Sequence, residues 1–289
     1  MDPGTLLALD NITPKGLLMP PSKRTTLQID DTISSELLAA GNRESVVTQA
    51  DKKNYAERLS RVLAQRFANE LRQVFPGILP DVNGKGQESR ARSAKGFKKL
   101  DVNYSTTELG LGLGISVKTL NFSDGKSKRY TKNYTRVDGE LRAEASDYHE
   151  RQPYAVMVAV VFLPIDCCDD KASEAHPSSF GKAVQTFRFR AGRTKPDDPE
   201  MLFEKVYIGL YDTSPERFGA VGFFDVMDKP PKHGRPAKLL TMREMLDGIV
   251  RAYDGRNSPQ FEWADAEPET VSLPPAETDL EDGRDDEAD

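Results

Sequence analysis

Between residues 99 and 144 the sequence sets out acids and a lysine in an order suited to hydrolysis of a phosphodiester. Asp101 stands early in one β-rich run, Ser116-Val117-Lys118 lies in the next, and Glu140 and Glu144 fall on a helical stretch after a basic loop. Metal-dependent hydrolysis of this kind needs hard oxygen ligands converging on Mg²⁺ and a cation near the attacking water or the scissile phosphate. An acid on one strand and a lysine on its neighbour supply two such groups side by side. The third comes from a helix packed across the sheet, and helical phase selects it. With Leu141, Ala145 and Tyr148 turned to the core, Glu144 lies on or beside the buried face and Glu140 at its margin.

The elements that must position these groups are readable from periodicity. In residues 48–75, Tyr55, Leu59, Val62, Leu63, Phe67, Leu71 and Val74 recur at helical spacing, and Pro76-Gly77 ends the pattern. Glu70 falls on that apolar stripe, where a charge is costly without a partner or a metal, while Glu57 falls off it. Residues 84–99 carry Lys85, Arg90, Arg92, Lys95, Lys98 and Lys99 against Glu88 among glycines and serines, which reads as a mobile basic loop. Strands are expected at 99–104 and 109–120. Gly110, Gly112 and Gly114 weaken the second and point to close approach of a backbone or a ligand. A second basic loop at 126–136 holds Lys126, Lys128, Arg129, Lys132 and Arg136, with Tyr130 and Tyr134 either stacking on bases or anchoring it. A helix at 137–150 and an apolar strand at 154–163 follow. Further strands at 184–190, 206–211 and 220–226 and a helix at 241–253 complete a mixed α/β body.

Composition bounds the alternatives. At 289 residues with 37% hydrophobic content the chain holds enough apolar surface for a sizeable core, and no run is long enough to span a bilayer. The adjacent Cys167 and Cys168 suit neither a disulfide framework nor a zinc site, so a reducing cytoplasm is expected. Of 40 bases and 46 acids, twelve acids and one base (Arg284) fall in 262–289, leaving 39 bases against 34 acids before it. The body is therefore mildly basic, which permits a nucleic-acid partner. Three segments follow: an arm at 1–47 with one short helix near 34–40, an α/β domain at 48–261, and a disordered acidic tail at 262–289.

The order of these motifs resembles the PD-(D/E)XK nuclease superfamily, whose shared core runs helix, strands, helix, strand. Ser116 replaces the acid usual two residues before the lysine, and Leu100 replaces the proline before Asp101. One branch of type II restriction endonucleases shows the same departure at the first position and takes the missing carboxylate from the following helix. Leu141-Arg142-Ala143-Glu144-Ala145 is similar to that helical stretch, although the gap from the lysine is longer here. The resemblance implies a restriction-endonuclease-like mixed sheet flanked by helices, with additional C-terminal strands, in a Mg²⁺-dependent DNA endonuclease of restriction or phage-defence type. It further implies that Asp101 and Glu144 hold the metal, that Lys118 positions or activates the attacking water, and that Glu70 orients water at the metal.

Arg90, Arg92, Lys95, Lys98, Lys128, Arg129 and Lys132 are the expected contacts to double-stranded DNA, with a homodimer and defence-system partner proteins as further expectations. Each residue also has a plain structural reading. Asp101 and Lys118 suit a solvated strand end and an edge strand, Glu144 a surface pair, and Glu70 a helix end. Asp81 matches the motif's name more literally, but it stands in a turn context. Two other classes stay open: an inactive DNA-binding module, and a nuclease subunit that uses residues 184–226 as an interface in a larger complex.

Overall fold

A computed structural model describes residues 31–258, except 108, 109, 171 and 172. The acidic tail and most of the expected N-terminal arm lie outside the described residues. Five strands form one mixed sheet in the order β3-β4-β5-β6-β7. These are β3 (Val102–Thr106), β4 (Gly110–Thr119), β5 (Val156–Pro164), β6 (Lys205–Tyr211) and β7 (Val221–Asp225). β3 runs antiparallel to β4, β4, β5 and β6 are mutually parallel, and β7 returns antiparallel to β6. β5 is buried along its whole length, as its unbroken apolar sequence requires of a central parallel strand.

Helices cover both faces. α1 (Ser34–Ala40), α2 (Gln49–Leu71) and α5 (Met242–Arg256) share one apolar layer with Leu113, Ile115 and Val117 of β4. α3 (Tyr134–His149) and α4 (Ser179–Phe187) pack on the opposite face with Met157, Ala159 and Val161 of β5. α2 starts at a capping box in which Thr48 and Asp51 exchange side-chain-to-backbone bonds, a device contributing about 1 kcal/mol. Part of the expected arm belongs to this body: Ile33 and Leu37 are fully or nearly fully buried, and Thr32 bridges Ala220 of the sheet. Among the described residues no helix is long and apolar enough to cross a membrane.

Three local expectations change. Residues 84–99 are not all loop: β1 (Ser89–Ser93) and β2 (Gly96–Leu100) form an antiparallel hairpin, with Gly96 at a positive φ of 103° in its turn. Residues 184–190 end a helix instead of forming a strand, because Phe180, Ala183, Val184 and Phe187 recur at helical spacing and Ser178 caps the start by accepting from the Gly181 amide. The glycines of β4 admit side chains and not a ligand or a backbone. A Cβ at Gly112 would meet Tyr253 and Tyr104, and one at Gly114 would come within 2.7 Å of the Met157 sulfur.

Candidate functional site

The candidate site forms where the small hairpin hands over to the main sheet. Leu100 is buried in the layer beneath α3, whereas Val102, two residues later, is buried in the layer beneath α2. Residues two apart on a regular strand share a face, so the chain must turn at Asp101, and that turn frees its side chain from the ladder. Asp101 Oδ2 accepts a 2.7 Å hydrogen bond from the Val117 amide, which ties it to β4 beyond the last β3–β4 pair, Val102 with Ile115.

Along β4 the faces alternate. Leu113, Ile115 and Val117 enter the core under α2, so Ser116 and Lys118 take the face under α3. α3 supplies the remaining group. Val137, Leu141, Ala145 and Tyr148 are its buried stripe, and Glu144 stands beside that stripe, half-buried. Ser116 Oγ donates to Glu144 Oε2 at 2.9 Å, and Lys118 Nζ lies 3.3 Å from the same oxygen. Asp101, Ser116, Lys118 and Glu144 thus meet from three places in the sequence.

The electrostatics follow from that crowding. Asp101 is pushed up to about 6, first by burial and then by the nearby Glu144 carboxylate, against the opposing pull of the Val117 amide bond and the Lys118 charge. For Lys118, burial works to lower its value, but the fields of Glu144 and Asp101 outweigh it and hold the amine above its ordinary range. The lysine is therefore an ammonium at neutral pH, suited to binding negative charge and not to taking a proton.

Tyr148, one turn beyond Glu144, completes the site in a way its sequence position did not announce. Sequence phase marks it as a core residue, and it is fully buried; yet its hydroxyl has no hydrogen-bond partner among the described residues. Burial, then the charges of Glu144 and Asp101, push that hydroxyl far above its ordinary value, so it stays a proton donor beside both carboxylates. A buried orphan donor and a carboxyl raised by burial and then by a like-charged neighbour mark a place short of hydrogen-bond partners and of positive charge. A hydrated divalent cation supplies both, and the hard oxygens of Asp101 and Glu144 are the ligand type Mg²⁺ takes. They are a pair: among the described residues no cluster of three or more His, Cys, Asp or Glu side chains is arranged to hold a metal.

Glu70 is not brought to this site. Ser60 Oγ donates to the Val117 carbonyl and Thr119 Oγ1 to the Ala56 carbonyl, so the part of α2 beside the site is 56–60. Glu70 lies ten residues on, about 15 Å along the helix. It pairs with Arg66 at 2.9 Å, and Arg66 also faces Glu36 of α1. That ion pair answers the cost of the charge on the stripe. The α2 glutamate nearer the site is Glu57, which shares with Lys118 the lining of a cleft of about 510 Å³ between α2, α3 and residues 119–133. Glu57 itself is exposed and pairs with Lys53 at 3.6 Å. Glu140 lines the same cleft and pairs with Arg136. Asp81 is in a turn, its carboxylate accepting from the Asn83 and Lys85 amides.

The expected DNA contacts divide into groups. Arg90 and Arg92 are exposed on β1, whereas Lys95 and Lys98 both reach Asp147, a fully buried carboxylate on α3. Lys128 is exposed. Arg129 donates to the Pro177 carbonyl at 2.6 Å, and Lys132 lies 3.5 Å from Asp124 at the cleft. Tyr130 and Tyr134 are buried anchors: the Ser179 hydroxyl accepts from the Tyr130 amide, and the Tyr134 hydroxyl donates to the Ser179 carbonyl. His149 is buried too, its ring held between the Glu200 and Ala155 carbonyls. No protein-family model, curated protein or solved structure matches the chain.

Proposed function

We propose that this chain is a Mg²⁺-dependent DNA endonuclease of restriction or phage-defence type, with a restriction-endonuclease-like core. One observation carries the reading: the Ser116 hydroxyl, at the position where an acid two residues before the lysine is expected, bonds the Glu144 carboxylate brought in from α3. A carboxylate moved from strand to helix thereby reaches the same place beside Lys118. The sheet supports the reading as well, since β3, β4, α3 and β5 follow α2 in the order that the resemblance implies.

Asp101 and Glu144 would hold the cation, whose chemistry is to polarise the scissile phosphate and lower the pKa of water. The chain's own groups do the rest. Lys118, kept an ammonium by the two carboxylates, offsets charge that builds on the phosphate as it is attacked. The Val117 peptide holds Asp101 in place through its N–H, and its carbonyl is held in turn by Ser60. Tyr148, fully buried, keeps its proton and offers it as a hydrogen bond to water at the carboxylates.

The test is incubation of the purified chain with plasmid DNA in Mg²⁺ or in EDTA. Cutting that EDTA abolishes is expected, and Lys118→Ala should lower its rate by about a hundredfold or more while DNA binding persists. Glu144→Ala should be as damaging as Lys118→Ala, and Glu140→Ala should leave cutting intact. Full activity in Glu144→Ala would end the moved-carboxylate assignment.

A further inference from the structure

The hairpin β1–β2 has two faces with different fates. Ala91, Ser93 and Leu100 are buried on the inner one, and Lys98 reaches inward to Asp147. A second lysine, Lys95 in the turn, bonds Asp147 at 2.9 Å, and the Ala94 amide donates to the Asp147 carbonyl. Three ties therefore hold the hairpin tip on α3, three residues after Glu144. The outer face carries Arg90 opposite Lys99 and Arg92 opposite Phe97. All four side chains are exposed; Phe97 is 61% accessible, and the Arg92 guanidinium lies 5.5 Å over its ring centre. Glu88, the one acid within residues 88–100, pairs with Lys99 at 2.6 Å.

We infer that this outer face is a reading ribbon that enters the major groove of duplex DNA. The inference rests on the nuclease reading for its placement beside a cleavage site, but its binding is measurable apart from cutting. Two strands about 4.8 Å apart fit a groove about 12 Å wide, and five residues span about 17 Å, half a helical turn. Charge selects the occupant. Three cations against one acid match phosphates, and a single exposed ring is far too small a patch for a stable protein interface. Position assigns the roles. Arg92 and Phe97, stacked on each other beside the pinned turn, would meet base edges, the guanidinium a guanine and the ring a thymine methyl. Arg90 and Lys99, paired at the end of the outer face away from the turn, would meet phosphates at the groove rim. The Asp147 ties fix the ribbon before DNA arrives, so little ordering is left for binding.

The experiment uses the full chain in EDTA with a labelled pool of random-sequence duplexes, reading affinity against salt and the sequences retained. Arg90→Ala is expected to flatten the logarithmic salt dependence by about 0.9, the value for one phosphate contact. Arg92→Ala and Phe97→Ala should relax the retained sequence preference at adjacent positions, with melting temperatures unchanged because these side chains are exposed. Arg92→Lys, which keeps the charge and loses the fork, should retain affinity and lose preference. Unchanged salt slope and unchanged preference in all these variants would overturn the ribbon, as would tighter binding of single strands through the same residues. If the chain never cuts with Mg²⁺ yet loses duplex binding in the hairpin variants, the hydrolytic reading fails and the ribbon stands. If it cuts and the variants bind as before, the ribbon alone fails.

Discussion

Two groups of buried charge stand at opposite ends of the parallel strands, and they are built on opposite plans. Toward the start of β5 and β6, Glu204 faces two guanidiniums: Oε1 accepts from Arg256 at 2.9 Å and lies 3.4 Å from Arg193, while Oε2 accepts the Met157 amide at 2.7 Å. Arg193 goes on to the Pro153 and Pro196 carbonyls at 3.0 and 2.6 Å, and Arg256 to the Pro153 carbonyl at 3.0 Å. One carboxylate is saturated by two cations and closed off from water. Toward the end of β4 the ratio reverses, with Asp101 and Glu144 sharing one ammonium beside an unpartnered tyrosine hydroxyl. The first group welds α5 and residues 193–204 to the sheet. The second is left short of positive charge, which is how a fold keeps a place for a ligand at the expense of its own stability.

That contrast can be broken at either end. The largest change in stability is expected at the saturated end: Glu204→Ala strands two buried guanidiniums and should cost about 3–5 kcal/mol, lowering the melting temperature by roughly 10 °C or more. A shift of under a degree or two would show that the cluster is not closed.

At the open end the sign should invert. Asp101 has its folded value raised to about 6 from 3.8, so the native state holds the proton more tightly than the unfolded chain. Its charge therefore destabilises the fold as pH rises from about 4 to 6, and the full cost, at most about 3 kcal/mol, is present above that window. Asp101→Asn, which can still accept from the Val117 amide, should raise the melting temperature of the metal-free chain at pH 8 and leave it nearly unchanged below pH 4. Mg²⁺ should stabilise the parent chain and not this variant. A variant less stable than its parent at pH 8 would mean that Asp101 is structural. The smallest effect belongs to Glu70→Gln, which removes one partly buried ion pair with Arg66. It should cost about 1 kcal/mol or less and leave cleavage untouched.

Lys118 and Glu144 were readable because each sits in a periodic element, whereas Asp101 stands at the bend between β2 and β3. Alternation in β4 fixes which face Lys118 takes, and the stripe on α3 separates Glu144 from Glu140. Glu70 shows what periodicity leaves out: it tells which side of a helix a residue faces but not how far along the sheet that side has travelled. The hairpin was hidden for another reason. Its outward positions are basic except Phe97 and its inward ones small or basic except Leu100, so it lacks the apolar alternation that marks a strand, and its tip is held by Asp147, about fifty residues away in sequence. Tyr148 was legible as a buried ring, but whether its hydroxyl finds a partner is decided only when β3 and α3 come together.

The bonding at Asp101 and Glu144 also sets a limit that can be counted in oxygens. Asp101 spends Oδ2 on the Val117 amide, and Glu144 spends Oε2 on both Ser116 and Lys118. The oxygens that carry no bond to the protein are one each, Oδ1 and Oε1. Magnesium takes about six oxygens and parts with its waters reluctantly, so on the proposed reading these two free oxygens would supply about a third of the shell. Solvent and the nucleic acid would furnish the remainder. On that reading a chain provisioned in this way would hold its ion loosely on its own and firmly only with DNA present, so that cation and substrate would be mutually dependent guests.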